Sequence, residues 1–314
     1  MAEKLTGMDW LKKHIKELEV TNSQFNQDIS KITSICPGVY NEFQTWTPLK
    51  LILLNYVLDV CTNVIKNTDF IKERYFVDLF AGSGLNKVKN KNDFLIGSPF
   101  IASLKFSQDY TEMIFCEKDP QLFNALNLRI ASLCKTNLFT INCNCNINLN
   151  QIINKINKKD VYSLFFVDPC STEFSWDSMK LLLQTRTDII FNFMSNQIRR
   201  TAGLCKDGTC DGRVLDEFFG DNSWRKWQSG DEELLQIYVN NILKERKDAV
   251  IKIIKIKSAK HGFCYFLLFI TNKTKGENPW LKAVDKAKKE IESNSDKSVE
   301  MALDLIKNRQ KTLF

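Results

Sequence analysis

Short apolar runs alternate with segments of helical periodicity from Arg74 onward. Such alternation is typical of parallel strands joined by crossover helices, because a parallel pair needs a long connection and a helix supplies it. The predicted strands span residues 75–80, 112–117, 138–142, 162–167 and 188–193. Helices are predicted to begin near Ser98, Pro120, Asn148 and Trp176. The sequence therefore predicts an α/β protein with a mostly parallel sheet.

The segments around this core complete the predicted organisation. Two strong strand candidates, residues 249–256 and 263–271, are separated by a short polar turn and predict an antiparallel hairpin at the sheet edge. The alternation breaks at residues 199–230, which predicts an inserted loop or short helical cover. The full division is residues 1–46 as an N-terminal helical extension, 47–198 as a Rossmann-like core, 199–230 as the cover, 231–275 as the completion of the sheet and 276–314 as C-terminal helices.

The composition limits the class of protein, with 44% hydrophobic and 26% charged residues as in ordinary soluble chains. No apolar run reaches the roughly 18 to 20 residues of a spanning helix, so we expect a cytoplasmic protein without membrane contact. The ten cysteines are expected to be reduced thiols. With two histidines in all, the pairs Cys143/Cys145 and Cys205/Cys210 lack the companions that a zinc site needs, and no metal is predicted. The net charge of +7 permits nucleic acid as a partner without requiring it.

The segment Asp78-Leu79-Phe80-Ala81-Gly82-Ser83-Gly84 follows the first predicted strand of the sheet. Its small residues let the backbone turn sharply and approach a ligand, at the strand end where open parallel sheets bind ligands. Phe80 stands where the dinucleotide fingerprint has its first glycine, so that fingerprint is absent. We predict a nucleoside-cofactor site here, with Asp78, Phe80, Gly82, Ser83 and Gly84 as binding residues.

Three further residues are candidates for contact with the same cofactor. Glu117 ends the second strand, where its carboxylate can accept both hydroxyls of a ribose, although a helix-capping role is the alternative. Ser98 can cap a helix whose first residue is Pro99, and the exposed N–H groups of that turn could face a carboxylate or phosphate. Lys50 could reach this anionic group as well, or else remain solvated.

The whole pattern resembles the three-Cys-motif partner protein (TcmP) family, whose members have a class I methyltransferase-like Rossmann fold. The resemblance covers residues 47–288. Its motifs are Thr47-Pro48-Leu49-Lys50-Leu51, Asp78 to Gly84, Gly97-Ser98-Pro99, Glu117-Lys118-Asp119, Asp168-Pro169, Ile190-Phe191-Asn192-Phe193 with Arg199, and Phe218-Phe219-Gly220 with Trp224. The chain departs from the family pattern at Trp46, Asn144 and Cys170-Ser171. The resemblance implies S-adenosylmethionine as cofactor and a partner protein bearing three cysteines.

The resemblance also implies further site residues. Asn144 follows the third strand, where related enzymes often contact the adenine of the cofactor. Asp168-Pro169 stands where amino-group methyltransferases hold the target amine, which implies a catalytic role for both residues. Trp176 or Phe174 could stack on the acceptor from farther along the chain.

Two residues, one near the end of the fifth strand of the core and one beyond it, are predicted to bind substrate. Asn192 belongs to the motif that ends this strand, and Arg199 with Arg200 could position a phosphate, although an ordinary surface pair is the alternative. Cys170 is a weaker alternative as a nucleophile, because the glutamate motif expected for cytosine C5 chemistry is missing from the next strand.

These features predict a methyltransferase dependent on S-adenosylmethionine that acts on nucleic acid or another large substrate with a partner protein. A non-catalytic adapter that binds the cofactor or a nucleotide within a multi-protein system is the alternative. A nucleotide-binding enzyme of another kind that uses the same strand-end crevice is a third interpretation.

Overall fold

The centre of the molecule is a seven-stranded sheet flanked by helices. The computed structural model describes residues 7–42, 44–87, 94–273 and 278–308. The strands are β1 (Asn41–Glu42), β2 (Glu73–Asp78), β3 (Leu85–Lys87), β4 (Phe94–Ile96), β5 (Glu112–Glu117), β6 (Leu138–Asn142), β7 (Val161–Val167), β8 (Asp188–Phe193), β9 (Ala249–Ser258) and β10 (Phe263–Asn272). The helices are α1 (Gly7–Gln24), α2 (Asn26–Ser34), α3 (Thr47–Lys66), α4 (Ser98–Phe106), α5 (Pro120–Ala131), α6 (Cys145–Ile156), α7 (Trp176–Leu183), α8 (Ser195–Lys206), α9 (Arg213–Phe219), α10 (Asp231–Glu245), α11 (Pro279–Glu292) and α12 (Ser295–Asn308).

The strand order of the large sheet is β6-β5-β2-β7-β8-β10-β9. The first five strands in this order are parallel, and β10 is antiparallel to both of its neighbours. The order runs outward from β2 in both directions, so the topological switch point lies between β2 and β7. The predicted α/β class and the antiparallel hairpin are confirmed, and the architecture is the Rossmann-like fold of class I methyltransferases.

Alternation along the strands sends neighbouring side chains into two separate cores. Phe76 and Leu164 lie in the core formed with α1, α3, α4, α11 and α12. Val77 and Phe165 lie in the opposite core, formed with α6, α7, α9 and α10. The result is a three-layer arrangement that leaves the carboxyl ends of the parallel strands free to build a site.

The long helix α3 corrects one expectation from composition. It has 20 residues and a mean hydropathy of 1.4, so it is long and apolar enough to cross a membrane by those measures alone. However, 72% of its apolar window is buried inside the protein, as in the core helix of a globular domain.

The N-terminal extension, predicted as helical, contains a strand. β1 pairs in parallel with β3, with Asn41 opposite Asn86, and β3 pairs antiparallel with β4 in a small second sheet. Residues 88–93, between β3 and β4, lie outside the described residues. A two-residue strand such as β1 carries too short a pattern to be recognised from sequence.

The cover segment is helical, as α8, α9 and the short 3-10 helix Ser223–Lys226 show. Cys205 and Cys210 are joined by a disulfide, which corrects the expectation of reduced thiols for this pair. The turn after α8 brings their Cα atoms to 4.6 Å, a separation that a disulfide can bridge.

Candidate functional site

A cavity of about 580 Å³ opens at the carboxyl ends of β2, β7 and β8. This volume lies in the range of roughly 300 to 1,000 Å³ that is usual for small-molecule sites. Its lining residues are Asn41, Glu42, Gln44, Trp46, Thr47, Lys50, Leu51, Phe80, Ala81, Gly82, Gly84, Asn86, Gly97, Ser98, Asp168, Pro169, Cys170, Ser171, Asn192, Met194 and Gln197. The glycine segment after β2 and the Asp-Pro pair after β7 therefore face the same cavity, although 84 residues separate Gly84 from Asp168.

The glycine segment needs its glycines for both conformation and space. Gly82 and Gly84 have φ of +61° and +76°, values that are strongly disfavoured for any residue with a side chain. A Cβ on Gly82 would lie 2.5 Å from Asn41 Oδ1, and a Cβ on Gly84 would lie 2.3 Å from the Phe100 ring. The loop is therefore packed tightly from behind while its backbone lines the cavity.

Asn41 holds the glycine segment from the side of the small sheet. Its Oδ1 accepts hydrogen bonds from the Ser83 N–H at 2.8 Å and from the Ser83 hydroxyl at 3.0 Å. Ser83 is fully buried by these contacts and is absent from the cavity lining. The structure thus gives Ser83 the task of anchoring the loop, and it adds Asn41 as a site residue that sequence reasoning missed.

Arg129 of α5 ties the same loop to the chain after α2. Its guanidinium is buried and donates to the carbonyl of Ser83 at 2.7 Å. It also donates to the carbonyls of Ile35, Cys36 and Val39. An arginine inside an amphipathic helix is ordinarily read as a surface residue, and no sequence signal marks this one as buried.

Asp78 lies beneath the glycine segment and outside the cavity lining. It is fully buried, and its Oδ1 accepts the Phe80 N–H at 3.1 Å. Burial raises the pKa of Asp78 to about 7, against the opposing effect of hydrogen bonds from the Ser98 hydroxyl and the Phe80 N–H. Asp78 therefore shapes the turn that presents the loop. Ser98 is the first residue of α4 with Gly97 before it, so the predicted capping role of Ser98 is wrong.

We expect the free energy of unfolding of Asp78→Asn, relative to that of the wild type, to increase as the pH rises. Between about pH 4 and pH 7 the unfolded chain releases the Asp78 proton while the folded chain keeps it, so the free energy of unfolding falls as pH rises. Asparagine cannot ionise and avoids this loss. From about pH 5 to about pH 8 the variant should gain on the order of 2 kcal/mol over the wild type.

Thermal melts of both proteins across this interval measure the gain. The exposed Asp69→Asn is the control. If the difference in stability between Asp78→Asn and the wild type stayed constant with pH, the raised pKa of Asp78 would be contradicted.

Glu117 connects the glycine segment to the neighbouring strand. Its Oε2 accepts the Gly82 N–H at 2.9 Å and its Oε1 accepts the Asp119 N–H at 2.8 Å. The carboxylate thus lies directly behind the loop, next to the cavity although not among its lining residues. The predicted ribose contact stays a prediction.

The acceptor side of the cavity is built around Asp168. Its Oδ2 accepts from Lys50 Nζ at 2.5 Å, and its Oδ1 accepts from Asn192 Nδ2 at 2.6 Å. Lys50 and Asn192 are 7% and 1% exposed. Lys50 therefore pairs with Asp168 while it also lines the cavity, and its predicted contact with an anionic group of the cofactor stays a prediction. Pro169 lines the cavity beside this cluster.

Three predicted residues lie away from the cavity lining. Asn144 caps α6 by accepting the Asn146 N–H at 3.0 Å. Trp176 is 7% exposed and packs edge-on against Tyr238 in the core, so it has no face for a substrate. Arg199 is exposed on α8, with its Nε 3.4 Å from Asp231 Oδ1.

The remaining candidates contribute little chemistry at the cavity. Phe174 is fully buried and gives no stacking surface to the cavity. Loss of solvation and the nearby carboxylates of Glu173 and Asp168 raise the pKa of the Cys170 thiol, which disfavours a thiolate nucleophile. Within the described ranges, no group of three or more His, Cys, Asp or Glu is placed to hold a metal ion.

Comparison with known proteins agrees at the level of the fold. No family model and no curated protein matches the sequence. A crystal structure of a DUF519-family protein from Legionella pneumophila has a TM-score of 0.53 at 10% identity, covering 77% of this chain and 91% of that one.

Two further structures match more weakly. An rRNA methylase from Streptococcus thermophilus has a TM-score of 0.36 at 10% identity, covering 71% of this chain and 95% of that one. The METTL16 MTase domain has a TM-score of 0.40 at 11% identity, covering 72% of this chain and 68% of that one. Both of these TM-scores are too low to support a conclusion about this chain. The match to the DUF519-family structure shows a shared fold alone. Membership of the TcmP family stays a prediction.

Proposed function

We propose that the chain is a methyltransferase that uses S-adenosylmethionine to methylate nucleic acid or another large substrate, together with a partner protein. The observation that carries the proposal is that the glycine segment and the Lys50–Asp168–Asn192 cluster line one cavity. One side can take a nucleoside cofactor, and the other presents a carboxylate to an acceptor group.

The residues on the cofactor side fit such a group. Gly82 and Gly84 bring the backbone of the loop to the cavity wall, in a left-handed conformation that a side chain would strain. Glu117 lies behind the loop with lone pairs able to accept ribose hydroxyls, and Phe80 offers an aromatic wall. S-adenosylmethionine supplies an electrophilic methyl group when it is bound.

The residues on the acceptor side orient a polar group and offer a proton acceptor. Lys50 and Asn192 fix the Asp168 carboxylate from two directions, and each carboxylate oxygen keeps a lone pair for a further hydrogen bond. The Lys50 charge balances that of Asp168, so the pair adds no net charge to the cavity. In this proposal Asp168 orients the acceptor, and Pro169 shapes the wall beside it.

Arg199 and Arg200 support nucleic acid as the substrate class. Both are exposed on α8, the helix whose residue Gln197 lines the cavity. Exposed guanidinium groups on this helix can position a phosphate. The partner protein with three cysteines follows from the family resemblance and awaits a direct binding test.

A non-catalytic adapter is the second candidate function. Two observations favour it. Both oxygens of Asp168 already accept hydrogen bonds from residues of the chain itself. In addition, Cys170-Ser171 follows Pro169, where related enzymes place an aromatic residue. Such a chain would bind the cofactor while its partner performs the chemistry.

Transfer of a tritiated methyl group separates the two functions. The protein is incubated with labelled S-adenosylmethionine and total cellular RNA, DNA or protein, with and without cell extract that supplies the partner. We expect label in a nucleic-acid fraction for the wild type. Cofactor binding without incorporation in any fraction, extract included, would favour the adapter.

A further inference from the structure

Two cysteines lie side by side where the neighbouring strands β5 and β6 end. Cys116 is opposite Ile141 in the parallel register, and Cys143 follows Ile141 by two residues. Because side chains alternate along a strand, both thiols face the same core, the one formed with α6, α7, α9 and α10. The two thiols share a hydrogen bond, and neither is in a disulfide. The sheet edge that carries the cavity therefore also carries a dithiol.

The two thiols differ in their access to solvent. Cys116 is fully buried, whereas Cys143 is half-buried. The hydrogen bond from Cys116 lowers the pKa of the Cys143 thiol, against the loss of solvation and the charge of Glu117. The same hydrogen bond, together with burial, raises the pKa of the Cys116 thiol. A soluble oxidant therefore reaches Cys143 first, with Cys116 beside it as the resolving thiol, an arrangement common at redox-sensing cysteines.

Cys145 is the third thiol in this region, and it is a poor partner for either of the others. It is buried at the first residue of α6. Burial and the neighbouring Cys143 raise the pKa of its thiol to about 12, so it stays protonated. In the part of the chain that the structure describes, no group of three such side chains is arranged to hold a metal ion. The reactive pair is therefore Cys116 with Cys143.

The backbone around Cys116 holds the glycine segment. The Ala81 N–H donates to the Cys116 carbonyl at 2.9 Å, and the carboxylate of the next residue, Glu117, accepts the Gly82 N–H at 2.9 Å. In the sheet, β5 lies between β6 and β2. A disulfide bond of about 2 Å is much shorter than the contact between two thiols, so its formation draws Cys116 toward β6 and away from the loop after β2. Both hydrogen bonds to the glycine segment are then weakened.

We propose that Cys116 and Cys143 form a reversible disulfide in response to hydrogen peroxide, and that this bond loosens the glycine segment at the cavity. The Cys143 sulfur attacks the peroxide, the O–O bond breaks, and a sulfenic acid and water form. The Cys116 sulfur then displaces the hydroxyl from the Cys143 sulfur, and the Cys116 thiol proton leaves with that hydroxyl as a second water. The two thiols lose two electrons, which reduce the peroxide. This pair acts independently of the proposed function, because it changes the loop for any ligand of the cavity.

Disulfide mapping of the ligand-free protein tests the pair directly. Reduced protein is exposed to a small excess of hydrogen peroxide, the remaining thiols are blocked with N-ethylmaleimide, and the peptides are identified by mass spectrometry. We expect a Cys116–Cys143 cross-link that dithiothreitol removes, while the exposed Cys134 forms no intramolecular link. The inference would be overturned by a Cys143 that stays free, pairs with Cys145 or is oxidised only to the sulfinic acid.

Backbone hydrogen exchange measures the consequence for the loop. Peptides that contain Gly82 are compared between the reduced and the oxidised protein. We expect exchange in the glycine segment to become about tenfold faster after oxidation, because two hydrogen bonds that protect its amides are weakened. A cross-link that forms without any change in this exchange would overturn the connection to the cavity.

The variant Cys143→Ser removes the attacking sulfur, and Cys134→Ser is the matched control that removes an exposed thiol. After peroxide treatment we expect unchanged exchange at Gly82 in Cys143→Ser and a wild-type response in Cys134→Ser. A response that persists in Cys143→Ser would exclude this thiol as the sensor. Because the cross-link and the exchange are first measured on the wild type, a variant that fails to fold leaves the proposal testable. Neither readout uses S-adenosylmethionine, so a failure of the proposed function is distinguished from a failure of the thiol pair.

Discussion

Replacing Asp168 with asparagine is expected to lower the rate of methyl transfer by a factor of about 10² to 10⁴, the usual contribution of a positioned acid–base group. The variant keeps the shape of the side chain but loses the negative charge that pairs with Lys50 at 2.5 Å. The carboxamide keeps one oxygen but is not a base, so the acceptor group loses its proton acceptor. Initial rates with tritiated S-adenosylmethionine measure the effect.

The cofactor side should be unaffected by this change, because the glycine segment lies on a different strand end. Calorimetric affinity for S-adenosylhomocysteine is therefore expected to stay near that of the wild type. Asp160→Asn, in the exposed turn just before β7, is the matched control at the opposite end of that strand. A wild-type rate in Asp168→Asn would remove Asp168 from the reaction.

Arg129→Met is expected to lower the free energy of unfolding by about 3 to 5 kcal/mol, because it leaves several buried carbonyls without donors. These carbonyls belong to Ser83 of the glycine segment and to Ile35, Cys36 and Val39 of the chain after α2. Methionine fills much of the volume, so the loss reports the hydrogen bonds more than a cavity. Urea denaturation followed by circular dichroism measures it.

The matched control is Arg200→Met, which removes an exposed guanidinium from α8. Its expected effect is within about 0.5 kcal/mol, as for most surface changes. If Arg129→Met were as stable as this control, the guanidinium would not be holding the loop. A loss of cofactor affinity in folded Arg129→Met is also expected, since Ser83 loses the contact that fixes its carbonyl.

The sequence predicted those parts of the fold that depend on local pattern. The strands β5, β6 and β8 have the predicted bounds, and the glycine segment lies at the strand end where it was expected. Each depends on alternation or on small residues within one short window. The same local logic located Asp168 and Asn192 at their strand ends.

Contacts between distant segments were beyond sequence reasoning. Lys50 and Asp168 are 118 residues apart, and their pairing needs the tertiary fold to bring α3 beside β7. Arg129 and the carbonyl of Ile35 are 94 residues apart, and a buried arginine has the same sequence signature as an exposed one. Trp176 was predicted to contact substrate but lies in the core, because an aromatic residue near a motif also fits a core position.

The central claim is that the cavity beside the glycine segment binds S-adenosylmethionine. Calorimetric titration with S-adenosylhomocysteine tests it most directly, on wild type, Gly82→Trp and Gly208→Trp. Gly208 shares the left-handed backbone of Gly82, with φ of +76°, but a Cβ there meets open space, so it controls for strain. We predict saturable binding of one molecule per chain for wild type and Gly208→Trp, and none for Gly82→Trp. Absence of saturable binding to the wild type, or undiminished binding to Gly82→Trp, would contradict the account.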